Sequence, residues 1–301
     1  MFKIFAVILN WNNPQDTIAC VQSLLSSKVI PHKIVVVDNG STDNSEIILR
    51  NQLENQCSLL QTGENKGYAG DMLVGANYSR NNGADLVWFL NNDTVILPDT
   101  LSELLASIER NGLEYLYSPQ ILYLSDPNRV YFAGAYLNPE TGMLEGKSKF
   151  RSPTYGVTQD DLISDVIQGA SFIAPAKIID QLGFMDEDFF LYWEEFDYSF
   201  RLAQQGIKFI CVLSARMLHK KEGTPSSKSF NLDRVRVYYR IRNRIIFWQR
   251  YFPEKSKQFI NRELREHIKW LIKRQGYKDP NLWVSFLGFW HGLVGKSGRV
   301  F

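Results

Sequence analysis

The stretch Leu86-Val87-Trp88-Phe89-Leu90-Asn91-Asn92-Asp93-Thr94 decides the fold: five apolar residues run straight into amides and a carboxylate, with no turn residue between them. A run of that length reads as a strand buried on both faces. In an open α/β sheet the ligand site lies beyond the carboxyl ends of such strands. Asp93 offers a hard anionic oxygen, and Asn91 and Asn92 offer neutral ones, a set that suits Mg2+ or Mn2+ held partly by a substrate phosphate. Asp after a strand also serves as a turn or capping residue, and Leu97-Pro98-Asp99 reads as a helix start, so this stretch alone leaves both roles open.

A second strand, Lys33-Ile34-Val35-Val36-Val37, ends in Asp38-Asn39-Gly40-Ser41-Thr42-Asp43 and is followed by an amphipathic Ile47-Ile48-Leu49. The chain opens with a third apolar run, Ile4 to Leu9, ending in Asn10-Trp11-Asn12-Asn13-Pro14 before a helical pattern through Ile18, Val21, Leu24 and Leu25. This is a βαβα rhythm. Strands joined by helical crossovers pair in parallel, which brings their C-terminal ends to one edge. The polar clusters are therefore expected to share a cleft. The Asp38 to Ser41 segment also reads as a turn capping a helix that starts near Asp43, with the cap falling to Ser41 or Asp43.

Four motifs in order now stand out: Val7-Ile8-Leu9-Asn10-Trp11-Asn12, Val37-Asp38-Asn39-Gly40-Ser41-Thr42-Asp43, Glu64-Asn65-Lys66-Gly67-Tyr68-Ala69-Gly70 and Leu90-Asn91-Asn92-Asp93. Together they resemble the nucleotide-sugar half of family 2 glycosyltransferases with the GT-A fold, with a bacterial rhamnosyltransferase-like flavour that extends through about residue 225. The resemblance implies an α/β fold, a Rossmann-like nucleotide-sugar-binding sheet flanked by helices. It implies that Asp38 meets the pyrimidine base and that Lys66 and Gly67 lie beside ribose and phosphate. Asn10, Asn12, Asn39, Gly40, Asn91, Asn92 and Gly169 complete the expected nucleotide-sugar site. Asp93 is the expected metal ligand, joined by His219, which resembles a family histidine able to bind metal. Two departures stand out: Asp71 occupies a position where the family often has a second glycine, and Asn91 one where it often has Asp.

In the second half, Gly169-Ala170-Ser171-Phe172-Ile173-Ala174-Pro175 precedes Leu182-Gly183-Phe184-Met185-Asp186-Glu187-Asp188-Phe189-Phe190-Leu191-Tyr192-Trp193-Glu194-Glu195-Phe196-Asp197. This resembles the family's acidic catalytic motif, and Glu195 falls on the position of the general base, flanked by Glu194 and Asp197. A helix over about 193 to 205, ending at Gly206, puts Glu194, Asp197 and Arg201 on one face. Glu195 then points elsewhere, roughly 100° around. A solvated charge ladder is the other reading of that face. Glycosyl transfer needs charge on the leaving phosphates neutralised and the acceptor hydroxyl deprotonated. One base implies a single displacement with inversion. A glycosidase instead sets a carboxylate pair across the bond and needs nothing aimed at phosphate. A nicotinamide enzyme would carry Gly-x-Gly-x-x-Gly after its first strand, which is missing here. Beside the enzyme stands a second class, a non-catalytic nucleotide-sugar-binding partner of a glycan-assembly complex, to which Asn91 is the one pointer.

The 301 residues, 45% hydrophobic and 13% aromatic, can bury a substantial core. Cys20, Cys57 and Cys211 are odd in number, far apart and without metal-ligand spacing, which points to a reducing, cytoplasmic setting. No apolar stretch approaches the roughly 20 residues needed to span a bilayer. The formal charge of +2 hides an asymmetry, because Arg234 to Lys278 hold fourteen Lys and Arg against three Glu, a local +11 that leaves −9 for the rest. The expected division is a GT-A domain over 1–225 and a basic, aromatic-rich helical appendage over 226–301. Its helices read as Val235 to Trp248, Phe259 to Ile272 and Leu282 to Val294, with Arg236, Arg240 and Arg244 at four-residue spacing. Trp248, Tyr251, Phe252, Trp270, Trp283, Phe286, Phe289 and Trp290 read as interfacial. This tail is expected to lie peripherally on the inner face of an anionic cell membrane, near a polyprenyl-linked acceptor, or else to form an ordinary helical cap. Nucleic acid is not an expected partner, since no recognised binding module is present. The segment from Ser118 to Asp165, with turn signals at Asp126-Pro127-Asn128, Asn138-Pro139 and Ser152-Pro153, resists ordering.

Overall fold

The computed structural model describes residues 2–146, 161–220, 230–273 and 282–301. Apolar runs become strands and the amphipathic segments become crossover helices: β1 (Ile4–Asn10), α1 (Pro14–Leu25), β2 (Lys33–Asp38), α2 (Ser45–Leu53), β3 (Ser58–Gln61), α3 (Gly67–Asn81) and β4 (Leu86–Asn91). β1 pairs in parallel with both β2 and β4, with Asn10 opposite Asp38 and Leu9 opposite Asn91. β3 extends the parallel order beyond β2. This pairing carries the polar ends of β1, β2 and β4 to one edge of the sheet.

A short β5 (Thr94–Ile96) and α4 (Thr100–Asn111) lead into the second half of the sheet, formed by β6 (Tyr115–Tyr123), β7 (Asp126–Phe132), β10 (Asp161–Ser164), β11 (Ser171–Pro175) and β12 (Lys208–His219), with the hairpin β8 (Ala135–Asn138) and β9 (Met143–Gly146) standing apart. The order across the sheet is β10-β12-β6-β11-β4-β1-β2-β3. β11 runs antiparallel to β4, with Ser171 opposite Leu90, so Gly169 and Ala170 enter where β4 leaves. β12 runs parallel to β6, and its last residue, His219, pairs with Thr94 of β5. Two core layers sandwich the sheet. Ile8, Val36, Trp88 and Leu104 belong to one, and Val7, Val37, Phe89 and Phe172 to the other. Successive residues point to opposite faces, so a strand buried on both sides needs the unbroken apolar runs seen here. The Trp88 indole stays satisfied in that core by donating from Nε1 to Ser171 Oγ at 2.9 Å.

After α5 (Ala176–Leu182) and a 3-10 turn at Glu187–Phe189 comes α6 (Glu194–Gln204), ending where Gly206 turns at φ 80°. The C-terminal helices are α7 (Phe230–Tyr251), α8 (Pro253–Lys273) and α9 (Leu282–Leu293), each beginning or ending a few residues from the boundaries expected from the sequence. The expected boundary at residue 225 lies outside the described residues. These helices pack on the loop before α6: Phe189 and Trp193 share a core cluster with Ile241, Phe247, Trp248, Phe259 and Phe289.

That packing corrects the expectation that all the tail's aromatics are interfacial. Trp248 and Phe289 are buried, Tyr251 and Phe252 are half-buried against the same cluster, and Trp248 Nε1 donates to the Gly142 carbonyl at 2.8 Å. Only Trp283, Phe286 and Trp290 of the group are exposed, while the Trp270 side chain lies outside the described residues. The arginine row does not form one outer face either. Arg240 lies over the Tyr192 ring at 4.5 Å and Arg244 pairs with Glu263.

Candidate functional site

The edge where β1, β2 and β4 end is built by side chains that bond one another. Asn10 is fully buried and its Nδ2 donates to Asp38 Oδ1 at 2.7 Å, while Thr17 Oγ1 donates to Asn10 Oδ1 at 2.7 Å. Asp38 Oδ1 also accepts from Ser41 Oγ at 2.5 Å, and Oδ2 accepts from Gln61 Nε2 at 2.6 Å. Three donors on one buried carboxylate fix its plane at the end of β2 and leave Oδ2 as the less engaged oxygen. Ser41 is thus an arm of this network, and the turn before α2 is closed instead by Asp43, whose Oδ1 accepts from Ser45 N at 2.9 Å. Asn12 sits at φ 51° and links the same turns, with its Oδ1 accepting from Thr42 N at 2.8 Å.

Asn39 reaches the next loop by accepting from Lys66 N at 3.0 Å. Gly40 lets that loop close, since a Cβ there would lie 2.5 Å from the Glu64 carbonyl carbon. Gly67, at φ 77°, opens α3 against the loop before α6: a Cβ would lie 2.1 Å from the Phe190 oxygen, and Tyr68 N donates to that same oxygen at 2.8 Å. Tyr68 Oη then donates to the Gly169 carbonyl. A side chain at 169 would come within 3.5 Å of Glu195 Oε1. The loop opening α3, Gly169 and Glu195 are therefore one contiguous wall.

Across from it, Asn91 N donates to the Ala170 carbonyl at 3.0 Å and Asn92 Nδ2 donates to Thr17 Oγ1 at 3.0 Å, so the Asn91 main chain and the Asn92 side chain brace the strand ends. The pairing of β5 with the end of β12 sets Asp93 Oδ1 3.0 Å from His219 Nε2, and Lys220 N donates to the Asp93 carbonyl at 2.8 Å. His219 Nδ1 is buried without a partner. Among the described residues no cluster of three or more His, Cys, Asp and Glu could hold an ion alone. One carboxylate beside one imidazole, half open to solvent, fits a divalent cation whose other ligands come from a diphosphate.

Glu194 and Glu195 begin α6, and each has a buried Oε2 without a hydrogen-bond partner. Burial is the largest cause that holds both carboxyls well above the usual range. The Glu195 charge adds to it at Glu194, while main-chain N–H groups of Glu195 and Trp193, and after them Arg240, partly offset it at Glu195, which is pushed up to about 7. Asp197 differs. Its Oδ2 accepts from Arg201 Nε at 2.9 Å, and its Oδ1 accepts from Arg250 Nη1 at 2.6 Å and Tyr251 Oη at 2.7 Å. With both oxygens engaged and none of its surface exposed, Asp197 ties α6 to α7 and leaves the group of catalytic candidates.

Four residues escaped the sequence reading. Tyr68 bridges to Gly169, as above. Tyr131 sets its ring tilted against His219, centroids 5.2 Å apart; burial pushes its phenol up to about 12, and the charges of Glu195, Arg240 and Asp93 all act on it. Arg242 and Asn243 on α7 grip the loop that leads into Glu194 and Glu195. Asn243 Nδ2 lies 2.8, 2.9 and 2.6 Å from the carbonyls of Phe189, Leu191 and Tyr192, and Arg242 Nη2 donates to Asp188 and Phe189 carbonyls. One signal was available: Asn243 is an uncharged amide four residues from both Tyr239 and Phe247, on the buried stripe of α7, where only a backbone-satisfying role suits it.

Comparison with known proteins agrees with this geometry. The sequence model of Glycosyl transferase family 2 matches residues 5–173. The low-salt glycan biosynthesis hexosyltransferase Agl10 of Haloferax volcanii is 23% identical over 97% of this chain and 92% of its own length. The dTDP-rhamnosyl transferase RfbF of Shigella flexneri is 22% identical over 80% of this chain and 78% of its own. Among solved structures, GalNAc-T7 with UDP, GalNAc and Mn2+ superposes with a TM-score of 0.63 at 15% identity, covering 86% of this chain and 50% of that one.

Proposed function

Since this chain belongs to glycosyl transferase family 2 and has its GT-A fold, we propose that it is an inverting hexosyltransferase with Glu195 as general base, using a UDP- or dTDP-linked donor and a glycan or polyprenyl-linked glycan acceptor at the inner face of the cell membrane. Family membership already decides between the two classes in favour of an enzyme. The name of RfbF makes dTDP-rhamnose the first donor to test. The UDP and Mn2+ held by GalNAc-T7 support the choice of a nucleoside diphosphate and a divalent ion.

The observation that carries the reading is the position of Glu195. It opens a helix against Gly169 and Tyr68, with one buried oxygen lacking any partner. A carboxylate kept from water is a stronger base, poised to take the proton of an incoming hydroxyl. Burial, and then the Glu195 charge, raise the neighbouring Glu194 carboxyl well above the usual carboxylate range. Asp38 offers Oδ2 to a pyrimidine N–H from the edge of β2, and the main chain of Lys66 and Gly67 brings α3 near the phosphates. Asp93 and His219 would hold Mn2+ or Mg2+, which neutralises charge on the leaving diphosphate when bound.

Transfer or hydrolysis from a panel of nucleotide sugars, with and without Mn2+, tests this. Glu195→Gln is expected to lower kcat by roughly 10²–10⁴ while leaving nucleotide affinity intact. Unchanged turnover in that variant would refute the base assignment.

A further inference from the structure

α9 is apolar on both faces, and only one of them is covered. Val284, Ser285, Gly288, Phe289 and Gly292 point into the protein, and α7 fits closely enough that a Cβ on Gly292 would lie 3.0 Å from the Arg242 carbonyl oxygen. At 100° per residue, Trp283, Phe286, Trp290, Leu293 and Val294 fall within about 100° on the opposite side. All five are exposed, Trp283 and Trp290 by 58% and 62%. Five large apolar side chains in one stripe form a contiguous outward patch, unlike the scattered surface apolars normal in a soluble protein.

The surroundings of that stripe select its occupant. Exposed cations lie on the neighbouring segments: Arg265 and Lys269 on α8, the helix whose His267 contacts Ser285 and Phe286, and Lys296 just past α9. Among the described residues Lys269 pairs with solvent-exposed Glu266. Tryptophan in the stripe, with exposed lysine and arginine on the adjoining segments, matches the boundary between acyl chains and anionic headgroups. The segment after α9 also leads to the site: Gly298 N donates to the Asp188 carbonyl, and Arg299 Nη1 donates to the Asn65 carbonyl at 3.1 Å. A surface under α9 is therefore one short segment from both the loop delivering Glu195 and the loop beside the donor.

We infer that the outer face of α9 docks flat on an anionic bilayer, seating its tryptophans at the headgroup boundary so that a lipid-linked acceptor reaches Glu195 without leaving the membrane. Among the described residues no helix is long and apolar enough to cross a membrane, so contact of this kind is interfacial. The inference rests on the reading of the acceptor as lipid-linked.

The test uses the full chain with vesicles of phosphatidylcholine alone or mixed equally with phosphatidylglycerol. Expected are co-flotation with the anionic vesicles, weakening with added salt, and tryptophan quenching by brominated lipids. Trp283→Ser with Trp290→Ser should lower partitioning on the order of a hundredfold, from the area each ring has left to bury. Donor hydrolysis in solution should stay unchanged in that variant. Absence of co-flotation, equal binding by the variant, or self-association that shields these tryptophans from a soluble quencher would overturn the inference while leaving the transferase reading intact. Vesicle binding by a protein that turns over no nucleotide sugar would overturn the transferase reading instead.

Discussion

Replacing Asn243 with alanine removes a clamp whose strength can be set against the strain it holds. The Nδ2 amide serves three carbonyls of the 189–192 segment and Oδ1 accepts from Arg242 Nε at 2.7 Å. At about 1 kcal/mol net per hydrogen bond, with orphaned buried carbonyls adding to the loss, the deletion comes to about 3–4 kcal/mol. The same segment keeps Phe190, Tyr192 and Trp193 at φ 61°, 66° and 77°. For side-chain-bearing residues that conformation is disfavoured by about 1–2 kcal/mol each, so strain and clamp are of equal size. Without the clamp the segment relaxes toward ordinary backbone, and Trp193 carries Glu194 and Glu195 with it. A displacement of about 1 Å is worth on the order of 10² in rate. We expect kcat to fall about a hundredfold in a sugar-transfer assay at saturating donor, donor KM to change less than threefold, and Tm to drop by about 5–10 °C. Leu53→Ala is the comparator, because Leu53 is buried under α2, away from the site, and its truncation removes about 2–5 kcal/mol of stability. Wild-type kcat in Asn243→Ala, or an equal kcat loss in Leu53→Ala, measured where both remain folded, would refute the reasoning.

Three further outcomes are expected. With Glu195 raised to about 7 and active only when deprotonated, kcat/KM should climb from pH 6 to 8; a flat profile contradicts the assignment. Burial lifts Asp71 from 3.8 to about 8, so its contribution to stability is full below about pH 4 and is lost as pH rises through 8; Asp71→Asn should widen its Tm advantage over wild type across that window, and a constant gap would count against it. Gly67→Ala forces a Cβ toward the Phe190 oxygen at positive φ, and chemical denaturation should report a loss above about 2 kcal/mol, a silent substitution being the contrary result.

The sheet and its functional edge were legible because periodicity and strand ends are local signals: β1, β2 and β4 are unbroken apolar runs, and parallel pairing leaves little choice about where Asn10, Asp38 and Asn91 meet. The proximity of Asp93 and His219 was foreseen only through family resemblance, since β5 is three residues long and its pairing with β12 spans more than a hundred positions. β7 was not legible at all. Its buried-exposed pattern is mostly exposed, and Pro127 near its start is tolerated because the strand pairs on one side only. The tail misled for a different reason: a helix rich in aromatics looks the same whether they face lipid or Phe189 and Trp193, and only the fold says which face is covered. Asp197 shares that lesson, as its partners Arg250 and Tyr251 lie more than fifty residues away.

The Asp197 anchor also bears on how this enzyme is divisible. Cutting after the sheet would strip away two of the three side chains that hold a fully buried carboxylate, the Arg250 cation and the Tyr251 hydroxyl, leaving Arg201 alone to compensate it, a situation worth several kcal/mol of instability. It would also uncover the ring cluster around Phe200 and Phe247. The helical appendage is thus no detachable module that a chimera could exchange freely for another. A swapped tail would have to bring its own guanidinium and phenol to the same carboxylate before any catalysis could be recovered.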